Sequence, residues 1–259
     1  MSRSGRQQHP GRPLCSGGGE EPRREAGGGG NGRRALLVGS ALSAMAVTSS
    51  AWARAGKPRK DAEEGEDVGP GEDLMREHGV LRRVLLVHAE VLAGLRGGKE
   101  IDPQVLQRTG KLIRSFVEDY HEKQEEDFVF PRFEKAGKLV GLVKTLRTQH
   151  QAGRVVTDRI LALATPAGVK DAGGRKELTA RLESFSRMYE AHAAREDTVL
   201  FPALHDLMNH REYDALGEQF ERREKQVFHG DGFERAVDEV DQIEKLVGIE
   251  DLAKLTPAT

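Results

Sequence analysis

Two stretches of the chain repeat one spacing of metal-ligating side chains. His121-Glu122-Lys123-Gln124-Glu125 runs on to Phe130-Pro131, and His192-Ala193-Ala194-Arg195-Glu196 runs on to Phe201-Pro202. In both, Glu follows His by four residues and Pro follows it by ten. Each has a lone histidine far upstream: His78, 43 residues before His121, and His150, 42 before His192. The pattern is His … His-x-x-x-Glu, written twice at a period of 71 to 72 residues. Imidazole and carboxylate donors together suit iron, manganese or zinc, and the donor types alone do not choose among them.

The elements that carry these residues read as helices. Apolar periodicity and stop signals predict helices over 73–96, 103–136, 139–164 and 176–208. Gly97-Gly98 ends the first, and Asp102-Pro103 caps and opens the second. Pro131 is expected to bend the last turns of the second helix, and a Gly-bearing loop leads from Thr165-Pro166 to the fourth. Two charged helical stretches, 211–228 and 232–247, follow, and nothing reads as a strand. The fold class is all-α: an up-down-up-down four-helix bundle with additional C-terminal helices and a disordered N-terminal leader.

Spacings of three and four place the special residues on the apolar stripes. His78 shares a face with Leu74, Leu81 and Leu85; His121 and Glu125 with Leu106, Ile113, Val117 and Phe128. His150 lies with Val143, Leu146, Thr157 and Ile160, and His192 and Glu196 with Leu178, Leu182, Phe185, Tyr189 and Leu200. Six donors thus face the seams of four packed helices. A buried unpaired carboxylate is costly, two facing ones repel, and no Lys or Arg shares those stripes at the same level. A pair of divalent cations would neutralise them. His88 falls about 80° off the His78 face and is read as peripheral. His205, His210 and His229 are read as solvated, and Glu122 and Glu126 as a solvated face beside the ligands.

Composition narrows the function. Of 259 residues, 32% are charged and only 5% aromatic, which disfavours a β-sandwich or barrel. Residues 1–55 hold 8 Lys and Arg against 3 Asp and Glu, leaving 32 against 39 in residues 56–259. That acidic remainder is a poor partner for nucleic acid or anionic lipid. Residues 1–32 contain ten of the 30 glycines and no hydrophobic period. Arg33-Arg34 then precedes an uncharged stretch ending near Ala51-Trp52-Ala53, as in a twin-arginine export signal; a single membrane anchor is the alternative. The division is therefore a leader and signal over 1–55, a linker over 56–71, the bundle over 72–208 and a helical extension over 209–259. Cys15, the one cysteine, lies in the leader, so zinc fingers, iron–sulfur clusters and cysteine nucleophiles are excluded downstream of it.

The chain resembles the hemerythrin-like, or HHE cation-binding, family. The resemblance rests on Glu77-His78, His121-Glu122-Lys123-Gln124-Glu125-Glu126 with Phe130-Pro131, Gln149-His150, and His192-x-x-x-Glu196-Asp197 with Phe201-Pro202, and covers residues 72–208. It implies a non-haem di-iron centre, with His78, His121, His150 and His192 as terminal ligands and Glu125 and Glu196 as bridges. Oxygen carriers of the family have a further histidine where this chain has Arg154, and use His-x-x-x-x-Asp where it has His192-x-x-x-Glu196. Those departures turn the implied role from carriage towards binding or sensing dioxygen, nitric oxide or peroxide, or handling iron. A di-metal oxidase or peroxidase and an iron-centre repair protein are the alternatives, so enzymatic activity stays open. The expected partner is a small diatomic ligand or peroxide, and the expected location is outside the cytoplasm.

Overall fold

The computed structural model describes residues 68–257, and every regular element among them is helical. The expected leader and most of the linker lie outside the described residues. Helix α1 (Pro70–Arg96) begins three residues earlier than its periodicity suggests, because Pro70 occupies the first turn and Glu72 bonds back to the amide of Gly69. Helix α2 (Pro103–Leu112) starts as expected: the Asp102 side chain accepts from the Gln104 amide at 2.9 Å. It continues without a break through π1 (Ile113–His121), α3 (Glu122–Gln124), π2 (Glu125–Val129) and α4 (Phe130–Ala136), ending on Gly137 at φ 65°. Helix α5 (Val140–Leu163) follows. The expected loop after it is instead a short helix, α6 (Pro166–Lys170), capped by Thr165. Asp171 then caps α7 (Ala172–Arg195), which passes through π3 (Glu196–Leu200) into α8 (Phe201–His205).

The two prolines set the local geometry. Proline has no N–H for the carbonyl four residues back, and its ring crowds that carbonyl in an α-helix. Pro131 and Pro202 are each the second residue after a five-residue π stretch, and the wider π turn leaves room for the ring. The sequence suggested a bend. The structure has a matched pair of π turns, each opening on one of the two motif glutamates.

The helices form a bundle in which α1 packs on α7, α7 on α5, α5 on α2 and α1 on π1. Its interior is divided into two apolar clusters. One holds Val80, Val84, Ile113, Phe116, Ile160, Leu182 and Phe185; the other holds Leu74, Phe130, Phe133, Leu146, Leu200 and Phe201. Along each of the four rods the six donors fall between the two. The C-terminal helices α9 (His210–Phe228) and α10 (Gly232–Val247) extend both clusters, α9 by Leu216 and Phe220 and α10 by Ala236, Val240 and Ile243. No helix of the described residues is long and apolar enough to cross a membrane.

His88 lies off the donor cluster, as its angle predicts, but it is fully buried rather than peripheral. Its ring meets Phe185 edge-on at 5.6 Å, neither nitrogen has a hydrogen-bond partner, and burial lowers its pKa to about 4. The unfolded chain takes a proton at His88 near pH 6.5, whereas the folded one does not until about pH 4. Stability is therefore intact above pH 6.5 and falls as the pH drops towards 4. His88→Leu is expected to recover about 2–3 kcal/mol at pH 4.5 relative to its effect at pH 7. Urea midpoints of both proteins at the two pH values measure it.

Candidate metal centre

The bundle brings all six motif residues together, each at most 3% exposed. The imidazole Nε2 atoms point inward in two pairs, His78 to His121 at 3.1 Å and His150 to His192 at 3.2 Å. The carboxylates span them. Glu125 Oε2 lies 3.3 Å from His150 Nε2 and 3.8 Å from His121 Nε2. Glu196 Oε2 lies 3.0 Å from His192 Nε2 and 3.4 Å from His78 Nε2. Two donor groups, each compact enough for one ion, share Glu125: His78, His121 and Glu125, and Glu125, His150, His192 and Glu196.

Each outer nitrogen, Nδ1, meets an acceptor that sequence reading left without a role. Asp197 Oδ1 lies 2.6 Å from His78, Glu77 Oε2 2.6 Å from His121, Glu126 Oε1 3.1 Å from His150, and Gln149 Oε1 2.9 Å from His192. Buried His78 and Arg82 hold Asp197 below the usual carboxylate range despite its burial. Likewise Glu126 is held well down, against burial, by His150, Lys123 and Arg154. Charged acceptors at those two positions keep the protons of His78 and His150 on Nδ1 and leave the inner nitrogens as electron-pair donors. Burial pushes Glu77 up to about 8, with the Tyr120 hydroxyl bond opposing it.

The signal for this outer ring was present in the sequence as the same repeat. Glu77 and Gln149 precede the lone histidines; Glu126 and Asp197 follow the motif glutamates. Arg82 on Asp197 matches Arg154 on Glu126, each arginine four residues after the lone histidine. Phe201 stacks on His78 at 5.5 Å as Phe130 stacks on His150 at 5.4 Å. The expectation that Glu122 and Glu126 form a solvated face is overturned. Glu122 is 1% exposed, accepts from the Tyr189 hydroxyl at 2.7 Å and pairs with Arg154 at 2.7 Å. Arg154 thus reaches these outer carboxylates, whereas no arginine or lysine of the described residues pairs with Glu125 or Glu196.

Those two glutamates are the centre's exceptional feature. All four of their carboxylate oxygens are buried without a hydrogen-bond partner. Burial and the adjacent Glu196 charge push Glu125 well above its ordinary range. Burial works on Glu196 too, but His192 and His78 outweigh it and hold that group down. Burial and the neighbouring His78 suppress protonation of His121, and burial brings His150 to about 4. His78 is raised to about 9: burial opposes this, and Asp197 and Glu196 overcome it. A cation entering the interior would displace the protons that His78 and Glu125 carry, and the nitrogen and oxygen donors so freed fit a pair of divalent cations.

Packing keeps this arrangement tight. A side chain at Gly153 would put its Cβ 2.0 Å from the Tyr189 hydroxyl, so only glycine on α5 lets that tyrosine reach Glu122.

An all-helical bundle with buried His and Glu clusters defines a cation-binding helical protein. The family model of the hemerythrin HHE cation-binding domain matches residues 70–204, and the chain belongs to that family. Proteins from two strains of Mycobacterium tuberculosis and from Mycobacterium bovis are 44% identical to it over 232 residues, which is 87% of this chain and 91% of theirs. All three carry the description of an uncharacterized protein. No solved structure matches the chain.

Outer-ring acceptors that orient metal-bound imidazoles typically change metal affinity by about 10–100-fold when removed. Asp197→Asn is expected to weaken metal retention in that range while leaving helicity unchanged, as measured by chelator competition and circular dichroism.

Proposed function

We propose that this chain is an exported hemerythrin-like protein whose up-down-up-down four-helix bundle holds two iron ions, and that it binds or senses dioxygen, nitric oxide or peroxide, or handles iron. The observation that carries the proposal is the pair of buried, unpartnered carboxylates between four inward Nε2 atoms. His78, His121 and Glu125 would hold one ion, and His150, His192 and Glu196 the other, with Glu125 near enough to share. Two bound irons supply redox change and open coordination positions to a small ligand. The chain supplies the rest. Asp197, Glu77, Glu126 and Gln149 orient the rings, Arg82 and Arg154 balance the outer charge, and the apolar clusters on both sides keep bulk water from the donors.

Full-chain protein reconstituted with ferrous iron is expected to retain about two ions per chain and to melt higher than the chelated form. Glu125→Gln combined with Glu196→Gln removes the two central carboxyl groups. It is expected to abolish the metal-dependent rise in melting temperature. Retention below one ion per chain, or an equal rise in the double variant, contradicts the reading.

Export rests on Arg33-Arg34, the uncharged stretch after it and Ala51-Trp52-Ala53. A reporter fused behind residues 1–60 is expected to leave the cytoplasm of a bacterium with a twin-arginine pathway. Replacing both arginines by lysine is expected to retain it.

A further inference from the structure

A second feature, lined by none of the six donors, has the makings of a binding site. A cavity of about 290 Å³ opens between α10 and the junction of α2 with π1. Its floor is apolar, formed by Leu112, Phe116, Phe228 and Ala236. The floor is also rigid: Phe228 packs on Phe116 at 6.1 Å and edge-on to buried Tyr120 at 5.0 Å. Gly232 permits this, since a Cβ there would fall 2.1 Å from the Phe228 ring.

The rim is cationic. Arg108, Lys111 and Arg235 border the opening against one acid, Glu239. Arg108 is committed to Glu239 by two bonds of 2.8 Å, and Arg235 donates to the carbonyls of Asp231 and Phe228. Exposed Lys111 has no carboxylate partner among the described residues. One free ammonium group therefore overlooks an apolar floor, in a region whose net charge is positive although residues 56–259 are acidic overall.

We propose that this cavity binds a small amphiphilic carboxylate, with its head at Lys111 and its apolar body on Phe116 and Phe228. A cation would meet three positive side chains, and a fully polar anion would desolvate the floor without replacing its water by apolar contact. The volume lies at the lower limit of the ~300–1,000 Å³ usual for small-molecule sites, which limits the body to a fused aromatic pair or a medium acyl chain.

Titration of the full chain with 2-naphthoate and with decanoate, followed calorimetrically, tests this and distinguishes an aromatic from an acyl body. Saturable binding of either supports the site. Lys111→Glu lies on the exposed rim, so it is expected to keep the wild-type melting temperature and weaken binding by roughly tenfold or more. Ala236→Phe fills the floor and is expected to abolish binding. Failure of both carboxylates to bind, equal binding of 2-naphthylmethylammonium, or unchanged affinity in the Lys111→Glu protein overturns the proposal. None of these readouts depends on whether metal occupies the bundle.

Discussion

Two carboxyl groups are held in the middle of an apolar bundle with no arginine or lysine of the described residues on their oxygens, and the rest of the architecture follows from that constraint. Charges in such a position are expensive unless something neutralises them. Here the nearest groups are four imidazoles, whose inner nitrogens offer lone pairs as readily as protons. The chain does not relieve the tension with its own cations. Arg82 and Arg154 are spent one layer out, on Asp197, Glu122 and Glu126. Positive charge is therefore supplied to the ring-orienting carboxylates and kept from the inner ones, the distribution a cation site requires.

The centre is built twice from one hairpin design. Each half pairs its own two histidines across the hairpin, and each glutamate lies within 3.8 Å of a histidine nitrogen of both halves. Neither hairpin alone completes the set of six donors. The duplication is not perfect, and its departures lie in the outer layer. Glu77 on one histidine is matched by neutral Gln149 on the other, and Tyr120 beside His121 is matched by Ala191 beside His192. Tyr189, in turn, corresponds to Glu118. The two halves thus differ by a titratable acceptor on one histidine and by where their tyrosine hydroxyl lies, which makes their inner nitrogens electrostatically unequal.

Proline placement joins backbone to chemistry. Pro131 and Pro202 lie six residues beyond Glu125 and Glu196, and the π turns that accommodate them begin at those glutamates. A wide turn at the point where a donor leaves the helix changes its angle relative to the histidine one turn before. The same local adjustment occurs in both halves, which keeps the two carboxyl groups comparable in reach.

The residues of the inner site were legible in the chain itself. Helical periodicity of 3.6 residues, two matched His-x-x-x-Glu pairs and their lone upstream histidines give the class of fold and the face each donor occupies. Most helix ends were readable too, because Asp102-Pro103, Gly97-Gly98 and Gly137 act through local backbone chemistry. What sequence could not decide was the layer around the donors. Whether Glu126 faces water or His150, whether Arg154 reaches Glu122, and whether His88 is peripheral or sealed against Phe185 depend on which helices become neighbours and how closely they approach. Side-chain reach across a gap is not a periodic property, and the Gly153 contact that admits Tyr189 links residues 36 positions apart. Patterns along one helix fix direction; only packing between helices fixes partners.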